Sequence, residues 1–394
     1  MTFPLTKIQE AIGREKVDGW LFYDFQGLDP IARRILGFPE NVHATRRWYY
    51  FVPKSGTPRK LAHKIEPASL DHLPGDKSFY AGWRELQKEL PTLLSGARRV
   101  AMNYSPSNAI PYVSRVDAGT IEQIRAAGAE VVTAADLVQQ FEAVWNETQL
   151  QTHIRAAKAL RTIVDETFGY VAKQISANKG LVEYDVQQFI WDRFTAYGLR
   201  SDYRPIAAVG PNAGNPHYSP EPKGSLPVRK GDFLLIDLWA KEMAEDAVFA
   251  DITWTGYLGK DVPEKFESIF QIVRGGRDAS LELVEDAVHS GKALRGYEVD
   301  DAARNYIASK GYGDYFIHRT GHNIGLNVHG NGANMDNFES RDERKVLPRT
   351  CFSIEPGIYL KDFGVRSEID VYVTESEATV YGQPIQTTIV PILK

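Results

Sequence analysis

The sequence predicts an α+β protein of two domains, a smaller α/β domain over residues 1–145 and a larger one over residues 146–394. Three observations lead there. A chain of 394 residues is too long for one ordinary hydrophobic core. Helical and extended patterns alternate through about the first 140 residues. Beyond them the order changes to helices followed by a strand hairpin, and that order occurs twice.

In the first domain the spacing predicts a helix over Leu5 to Lys16 and strands at Trp20 to Tyr23 and Trp48 to Val52. A strand at Val100 to Asn103, a helix over Ile121 to Ala127, a strand at Val131 to Thr133 and a helix over Ala135 to Val144 follow. No glycine-rich phosphate loop opens any of these helices, so nucleotide binding gains no support.

The boundary is read at Asn146-Glu-Thr, where Thr148 and Gln151 make a capping-box pattern in front of a long amphipathic helix. Leu150, Ile154, Ala157, Leu160, Val164, Phe168, Val171 and Ile175 keep helical spacing along it. A helix over Tyr184 to Tyr197, ending at Gly198, precedes two strands at Phe233 to Trp239 and Ala247 to Tyr257. The second round has helical stretches over Pro263 to Val273, Ala279 to Val288 and Val299 to Ser309, then strands at Cys351 to Tyr359 and Val365 to Val373.

Apolar residues at 43% and charged residues at 25% match soluble globular proteins and disfavour disorder, coiled coil and membrane classes. A formal net charge of −5 gives no electrostatic footprint for nucleic acid or an anionic membrane, so neither is an expected partner. The opening Met1-Thr-Phe-Pro-Leu-Thr-Lys7 lacks the basic, apolar and small-residue order of a signal peptide, and no apolar run could span a bilayer. The expectation is a cytoplasmic protein. One cysteine, Cys351, excludes an internal disulfide, and its strand context reads as a small buried residue.

The chemistry lies in carboxylates placed where they are costly. Asp237 interrupts Phe-Leu-Leu-Ile-Asp-Leu-Trp and Asp251 interrupts Val-Phe-Ala-Asp-Ile-Thr-Trp, and a carboxylate inside an apolar strand needs a cation or hydrogen bonds. With a turn centred on Ala244 the two would lie directly opposite, Cβ atoms roughly 4.5–5.5 Å apart. Glu355 and Glu368 interrupt the second hairpin in the same way. Glu355 follows Asp237 by 118 positions and Glu368 follows Asp251 by 117, so the four occupy equivalent places in two halves of a loose repeat. Four converging carboxylates call for about two divalent ions.

The segment from His318 to His329 carries three of the nine histidines, with Gly321 and Gly325 expected to let backbone approach a crowded site. A neutral imidazole added to four carboxylates makes an oxygen-rich set suited to manganese or cobalt at least as well as zinc. Two ions of this kind lower the pKa of a shared water and polarise a carbonyl, which makes amide hydrolysis the natural reaction. Glu355 is the expected ligand and proton shuttle, and His318 and His329 the expected hydrogen-bond donors to the tetrahedral intermediate.

Asp251-Ile-Thr-Trp-Thr, His318-Arg-Thr-Gly-His-Asn-Ile-Gly-Leu, Ser353-Ile-Glu-Pro-Gly-Ile-Tyr and Val365-Arg-Ser-Glu together resemble the pita-bread metallopeptidases. That family includes methionine aminopeptidase, aminopeptidase P, prolidase and the metal-free creatinase. The resemblance implies a C-terminal pita-bread domain, here from about residue 146, preceded by a creatinase-like N-terminal α/β domain for substrate access and dimerisation. The motifs are most similar to those of the Xaa-Pro peptidases. By that resemblance Asp237, Asp251, His322, Glu355 and Glu368 hold two metal ions, usually manganese, cobalt or zinc. His217 and His329 contact substrate, His318 is a further active-site histidine, and Arg366 holds a substrate carboxylate. The substrate would be a peptide with proline after the scissile bond, and the assembly a homodimer.

All five ligand positions are filled, which argues against creatinase chemistry and against a scaffold kept only for binding. The leading expectation is an Xaa-Pro dipeptidase, with Xaa-Pro aminopeptidase and carboxypeptidase activities as alternatives. The sequence departs from the family at three places. The Asp237 to Asp251 interval is a few residues longer, making Asp246 a rival second ligand. Asn323 replaces the commoner glycine, and Gly330 stands where many relatives carry an acidic residue. Arg366 could equally neutralise Glu368 or Asp370, and Trp239, Trp254 and Tyr359 are read as packing residues.

Overall fold

The computed structural model describes residues 3–39 and 44–393, so Met1 and Thr2 of the opening segment read above lie outside it. The chain divides into two compact units, Met1–Glu142 and Ala143–Lys394.

The first unit is a six-stranded sheet in the order β4-β3-β2-β1-β5-β6. Its strands are β1 (Gly19–Asp24), β2 (Trp48–Pro53), β3 (Arg59–His63), β4 (Asp76–Tyr80), β5 (Arg99–Met102) and β6 (Glu130–Thr133). Helices α1 (Leu5–Arg14), α2 (Pro30–Ile35) and α5 (Ala135–Glu142) pack one face, and α3 (Trp83–Leu93) and α4 (Ala118–Ala126) the other. Sheet strands covered on both sides become apolar throughout, and every residue of β1 is buried. The segment between Arg59 and Leu93 supplies β3, β4 and α3, none of which the residue pattern predicts. Edge strand β4 is largely solvated, and α3 carries Pro91 inside it.

The second unit opens with α6 (Glu147–Ser176) and α7 (Glu183–Ala196). Asn146, not Thr148, caps α6: its side chain accepts from the Gln149 amide while Gln149 accepts from the Asn146 amide. Strands β7 (Leu199–Arg200), β8 (Ile206–Val209), β9 (Phe233–Glu242) and β10 (Ala250–Tyr257) follow. Helices α8 (Glu264–Ser290) and α9 (Gly296–Ser309) begin the second round. The two helical stretches expected from Pro263 to Val288 are one continuous helix. Gly275 and Gly276 do not break α8; they let α9 come close, since a Cβ on Gly275 would meet the Tyr306 ring at 2.4 Å.

Strands β11 (Asn323–Ile324), β12 (Thr350–Ile354), β13 (Gly357–Tyr359), β14 (Gly364–Arg366), β15 (Ile369–Val373), β16 (Ala378–Val380) and β17 (Val390–Pro391) complete the unit. The order of helices then hairpin therefore does recur. β17-β10-β9-β7 form one sheet, with β8 also on β9, and β11-β12-β15-β16 form another. Each expected strand of the second hairpin is split. Ile354 pairs with Ile369 and Gly357 with Arg366, and the ladder lapses between them.

Candidate metal centre

The first hairpin places its aspartates on one face, offset from the expected geometry. Asp237 pairs with Thr253 and Asp251 with Trp239, so the turn is displaced and the carboxylates are diagonal neighbours rather than opposite ones. Asp251 is buried, while its rival Asp246 lies exposed in the connecting turn. In the second hairpin Glu355 and Glu368 fall opposite each other at the lapsed step of the ladder.

His322 reaches the same place because its segment lies against β12. The Ser353 amide donates to the His322 carbonyl at 2.9 Å, and the Glu355 amide to the Thr320 carbonyl at 2.7 Å. Gly321 makes this approach possible, for a Cβ there would stand 1.9 Å from the Ser353 carbonyl oxygen. Gly325 does not share that role, since its nearest neighbour would be 3.9 Å away.

The result is a cluster of one imidazole and four carboxylates. Ligand atoms of Asp251, His322 and Glu368 all lie within 4.8 Å of one another. His322 Nε2 is 3.7 Å from Asp251 Oδ2 and 3.2 Å from Glu355 Oε1. Asp237 joins through Arg366, whose Nη2 donates to its Oδ2 at 2.5 Å and whose Nε lies 3.9 Å from Glu355 Oε2. Thr253 Oγ accepts from Arg366 Nε at 3.2 Å and donates to Glu368 Oε2 at 2.8 Å, while Ser353 Oγ donates to Glu355 Oε1 at 3.1 Å.

Burial pushes the Asp251 and Glu368 carboxyls well above the usual range, and the neighbouring carboxylates push them further. Asp237 is raised by burial despite Arg366. Glu355 is the exception: burial opposes its ionisation, yet His322, His318 and Arg366 hold it well below the ordinary value. Two buried oxygens, Asp237 Oδ1 and Asp251 Oδ1, have no hydrogen-bond partner. Mutually repelling carboxylates with unpartnered oxygens beside an imidazole fit divalent cations by donor type and by charge.

The remaining expected residues surround this cluster. Arg366 is buried against Asp237 and Tyr359, and bonds neither Glu368 nor Asp370. Tyr359 is more than packing: its hydroxyl accepts from Arg366 Nη1 at 2.9 Å and lies 2.7 Å from His318 Nε2. His318 Nδ1 faces the Arg319 carbonyl at 2.6 Å, which can only accept, so Nδ1 carries the proton and Nε2 accepts from Tyr359. Both nitrogens of His318 are thereby engaged. His329 lies edge-on to His322, ring centroids 4.3 Å apart, at an exposed position, and that neighbour lowers its imidazole pKa. His217 is exposed on its loop and contributes to the charge environment of His329. Trp254 packs under the Arg161 guanidinium, and Trp239, partly exposed, stands beside Asp251 on the cluster's face.

The two departures at positions 323 and 330 are one feature. Asn323 Nδ2 donates to the Cys351 carbonyl at 2.9 Å, and its Oδ1 accepts from the Gly332 amide at 2.8 Å. A Cβ on Gly330 would meet that Oδ1 at 2.3 Å.

A family model for metallopeptidase family M24 matches residues 150–375, more than half of the chain. The chain belongs to metallopeptidase family M24. As an M24 protein it is a metallopeptidase, in a family that works with a pair of metal ions. YkvY of Bacillus subtilis (strain 168), whose name assigns it provisionally as a dipeptidase, is 30% identical over 266 residues, 66% of this chain and 67% of that protein. An Xaa-Pro dipeptidase of Lactobacillus helveticus is 32% identical over 171 residues, 43% of this chain and 42% of that one. The aligned part is thus about two fifths to two thirds of these relatives' length. The solved dipeptidase PepE of Mycobacterium ulcerans shares the fold at TM-score 0.67 and 22% identity, covering 98% of this chain and 97% of that one. The M24 pita-bread architecture, with an α/β unit before it, is therefore the fold here. Among the described residues no helix is long and apolar enough to cross a membrane.

Thr253 and Ser353, each bonded to a cluster carboxylate, carry no sequence signal beyond their place two residues from Asp251 and Glu355 on the same strand face.

Proposed function

We propose that this M24 enzyme hydrolyses Xaa-Pro bonds, above all in dipeptides, with two divalent ions held by Asp237, Asp251, His322, Glu355 and Glu368. The observation that carries this reading is the convergence of Asp251, His322 and Glu368 ligand atoms within 4.8 Å, with Glu355 against the same imidazole. The Xaa-Pro dipeptidase and dipeptidase names among its relatives support the substrate class. Manganese is the favoured ion, with cobalt and zinc as alternatives, because the donor set is four-fifths carboxylate.

When bound, the ions would supply Lewis acidity and a water acidic enough to attack near neutral pH. Glu355, the carboxylate held ionised, accepts the proton of the attacking water and returns it to the departing proline nitrogen. Ser353 orients its Oε1, leaving Oε2 as the oxygen for proton transfer. His329 offers an imidazole at the cluster's open side for the substrate carbonyl, and His217 a second contact. Arg366, through Asp237 and Tyr359, fixes the wall against which the substrate carboxylate rests. We further infer a cytoplasmic homodimer.

The test is a comparison of Ala-Pro, Ala-Pro-Ala and Ala-Ala as substrates of the manganese-loaded protein. Cleavage of Ala-Pro at the highest kcat/KM is expected. No cleavage of Ala-Pro overturns the dipeptidase reading, and cleavage of Ala-Pro-Ala alone would assign an Xaa-Pro aminopeptidase. Sedimentation of the purified protein checks the dimer.

A further inference from the structure

Beside Asp251 lies a second buried pair. His153 on α6 is fully enclosed, its ring 5.1 Å from Trp145 and 5.8 Å from Tyr381 by centroid. Its helix otherwise buries mainly aliphatic residues there, among them Ala156, Ala157 and Leu160. A polar ring in such a place is costly unless its nitrogens are used. Nδ1 is used: it donates to the Phe249 carbonyl at 2.8 Å, two residues before Asp251. Nε2 has no hydrogen-bond partner and lies 3.9 Å from Asp370 Oδ2.

Asp370 is the other half. It lies two residues after Glu368, on the same face of the second hairpin, and its Oδ2 accepts the Asp251 amide at 2.8 Å. That amide is free for the purpose because Asp251 turns it away from β9. Asp370 Oδ1, like His153 Nε2, is buried without a partner. The backbone leading into Asp251 is therefore held at two nearby points, the Phe249 carbonyl by His153 and the Asp251 amide by Asp370. The neighbouring Thr152 adds a third hold, its Oγ accepting the Val248 amide at 3.2 Å.

We propose that His153 and Asp370 act together as positioning residues that set the backbone of Asp251 and thereby the affinity and geometry of the metal centre. The proposal rests on the reading that Asp251 binds an ion. Neither residue touches the reacting atoms. Their effect passes through a ligand's main chain, the way outer partners of metal ligands usually act, and the usual cost of losing such a partner is about 10–100-fold in metal affinity.

The experiment uses the full chain with cobalt(II) as the probe. Dissociation constants come from titration followed by visible absorption, and kcat and KM from Ala-Pro hydrolysis. His153→Leu is expected to weaken cobalt binding by about 10-fold or more, alter the visible band and lower kcat with little change in KM. His153→Gln, which keeps a polar donor and acceptor, should recover most of the affinity and the band. The double change His153→Leu with Asp370→Ala should lose little more than the worse single change, because the pair works on one backbone segment. Wild-type affinity and spectrum in both His153→Leu and Asp370→Ala would overturn the proposal, as would strictly additive losses in the double variant. If His153→Leu does not fold, Asp370→Ala carries the test alone, and wild-type affinity and spectrum in that variant overturn the proposal. Wild-type protein that binds no cobalt would instead defeat the metal-site reading itself.

Discussion

Glu355 and Glu368 face each other where the second hairpin loses its strand pairing for two residues on each side. Ile354 with Ile369 and Gly357 with Arg366 belong to one continuous register, and between those pairs the two backbones are joined by a single long bond, from the Ser367 amide to the Pro356 carbonyl at 3.4 Å. Pro356 contributes to the lapse because it has no amide hydrogen to donate. The gap lets two carboxylates occupy the interior, at an electrostatic cost in the metal-free chain.

Removing one of them should therefore stabilise the metal-free protein while disabling it. Glu368→Gln keeps an oxygen to accept the Thr253 hydroxyl and removes a charge that its neighbours raise in pKa. We expect the apo protein to gain stability, because burial and the neighbouring carboxylates make ionised Glu368 costly there. Saturating manganese should stabilise the wild type, by about 2.7 kcal/mol at a hundred times the dissociation constant, and the variant far less. Urea unfolding with and without the ion checks both halves.

Glu355 carries the opposite expectation. Its carboxylate is held ionised by His322, His318 and Arg366, so Glu355→Ala should keep the fold, lower the stability of the metal-free chain and lose roughly 100- to 10,000-fold in kcat. Turnover of Ala-Pro within a few-fold of wild type would remove it from the proton-transfer role.

Gly321 should tolerate nothing larger. A methyl group there meets backbone, the Ser353 carbonyl oxygen at 1.9 Å, and not a side chain that can move aside. Gly321→Ala should cost at least about 2 kcal/mol and displace His322 from the cluster. Calorimetry and a metal titration would register the two effects separately. Gly325→Ala, with open space around it, is the matched control.

His153 predicts a pH dependence of stability. Burial brings its pKa from 6.5 down to about 4, so the folded state keeps it neutral while the unfolded state protonates it. Its contribution is complete above pH 6.5 and is lost as pH falls towards 4. Between pH 7.5 and 5 the loss should be about 2 kcal/mol by linkage. His153→Gln should remove that share of the dependence, measured as the difference between the two proteins' urea unfolding at each pH.

The ligand candidates were legible because a carboxylate in the middle of an apolar strand is conspicuous, and the strands that hold them are buried on both faces. Their exact relation was not. A displaced turn carries no signature in Met243 to Ala247, and it converts an opposite pair of aspartates into a diagonal one. Strand β4 and helix α3 leave little trace in the sequence for another reason: a solvated edge strand loses its apolar alternation, and Pro91 reads as a helix breaker although α3 runs through it. Glycines in a sequence do not say which role they fill. Gly275 and Gly276 look like an interruption and are a helix contact, whereas Gly325 looks like a close approach and is not. His153 and Asp370 were invisible as a pair because 217 residues separate them and only the fold brings α6 against β15.

The fit of Asn323 to Gly330 makes the two positions depend on each other. The Asn323 carboxamide fills the space that a side chain at 330 would need. Any larger residue at 330 has to push that carboxamide aside, and with it go the bonds to the Gly332 amide and the Cys351 carbonyl. A single polar side chain thus sets how bulky a residue seven positions away can be.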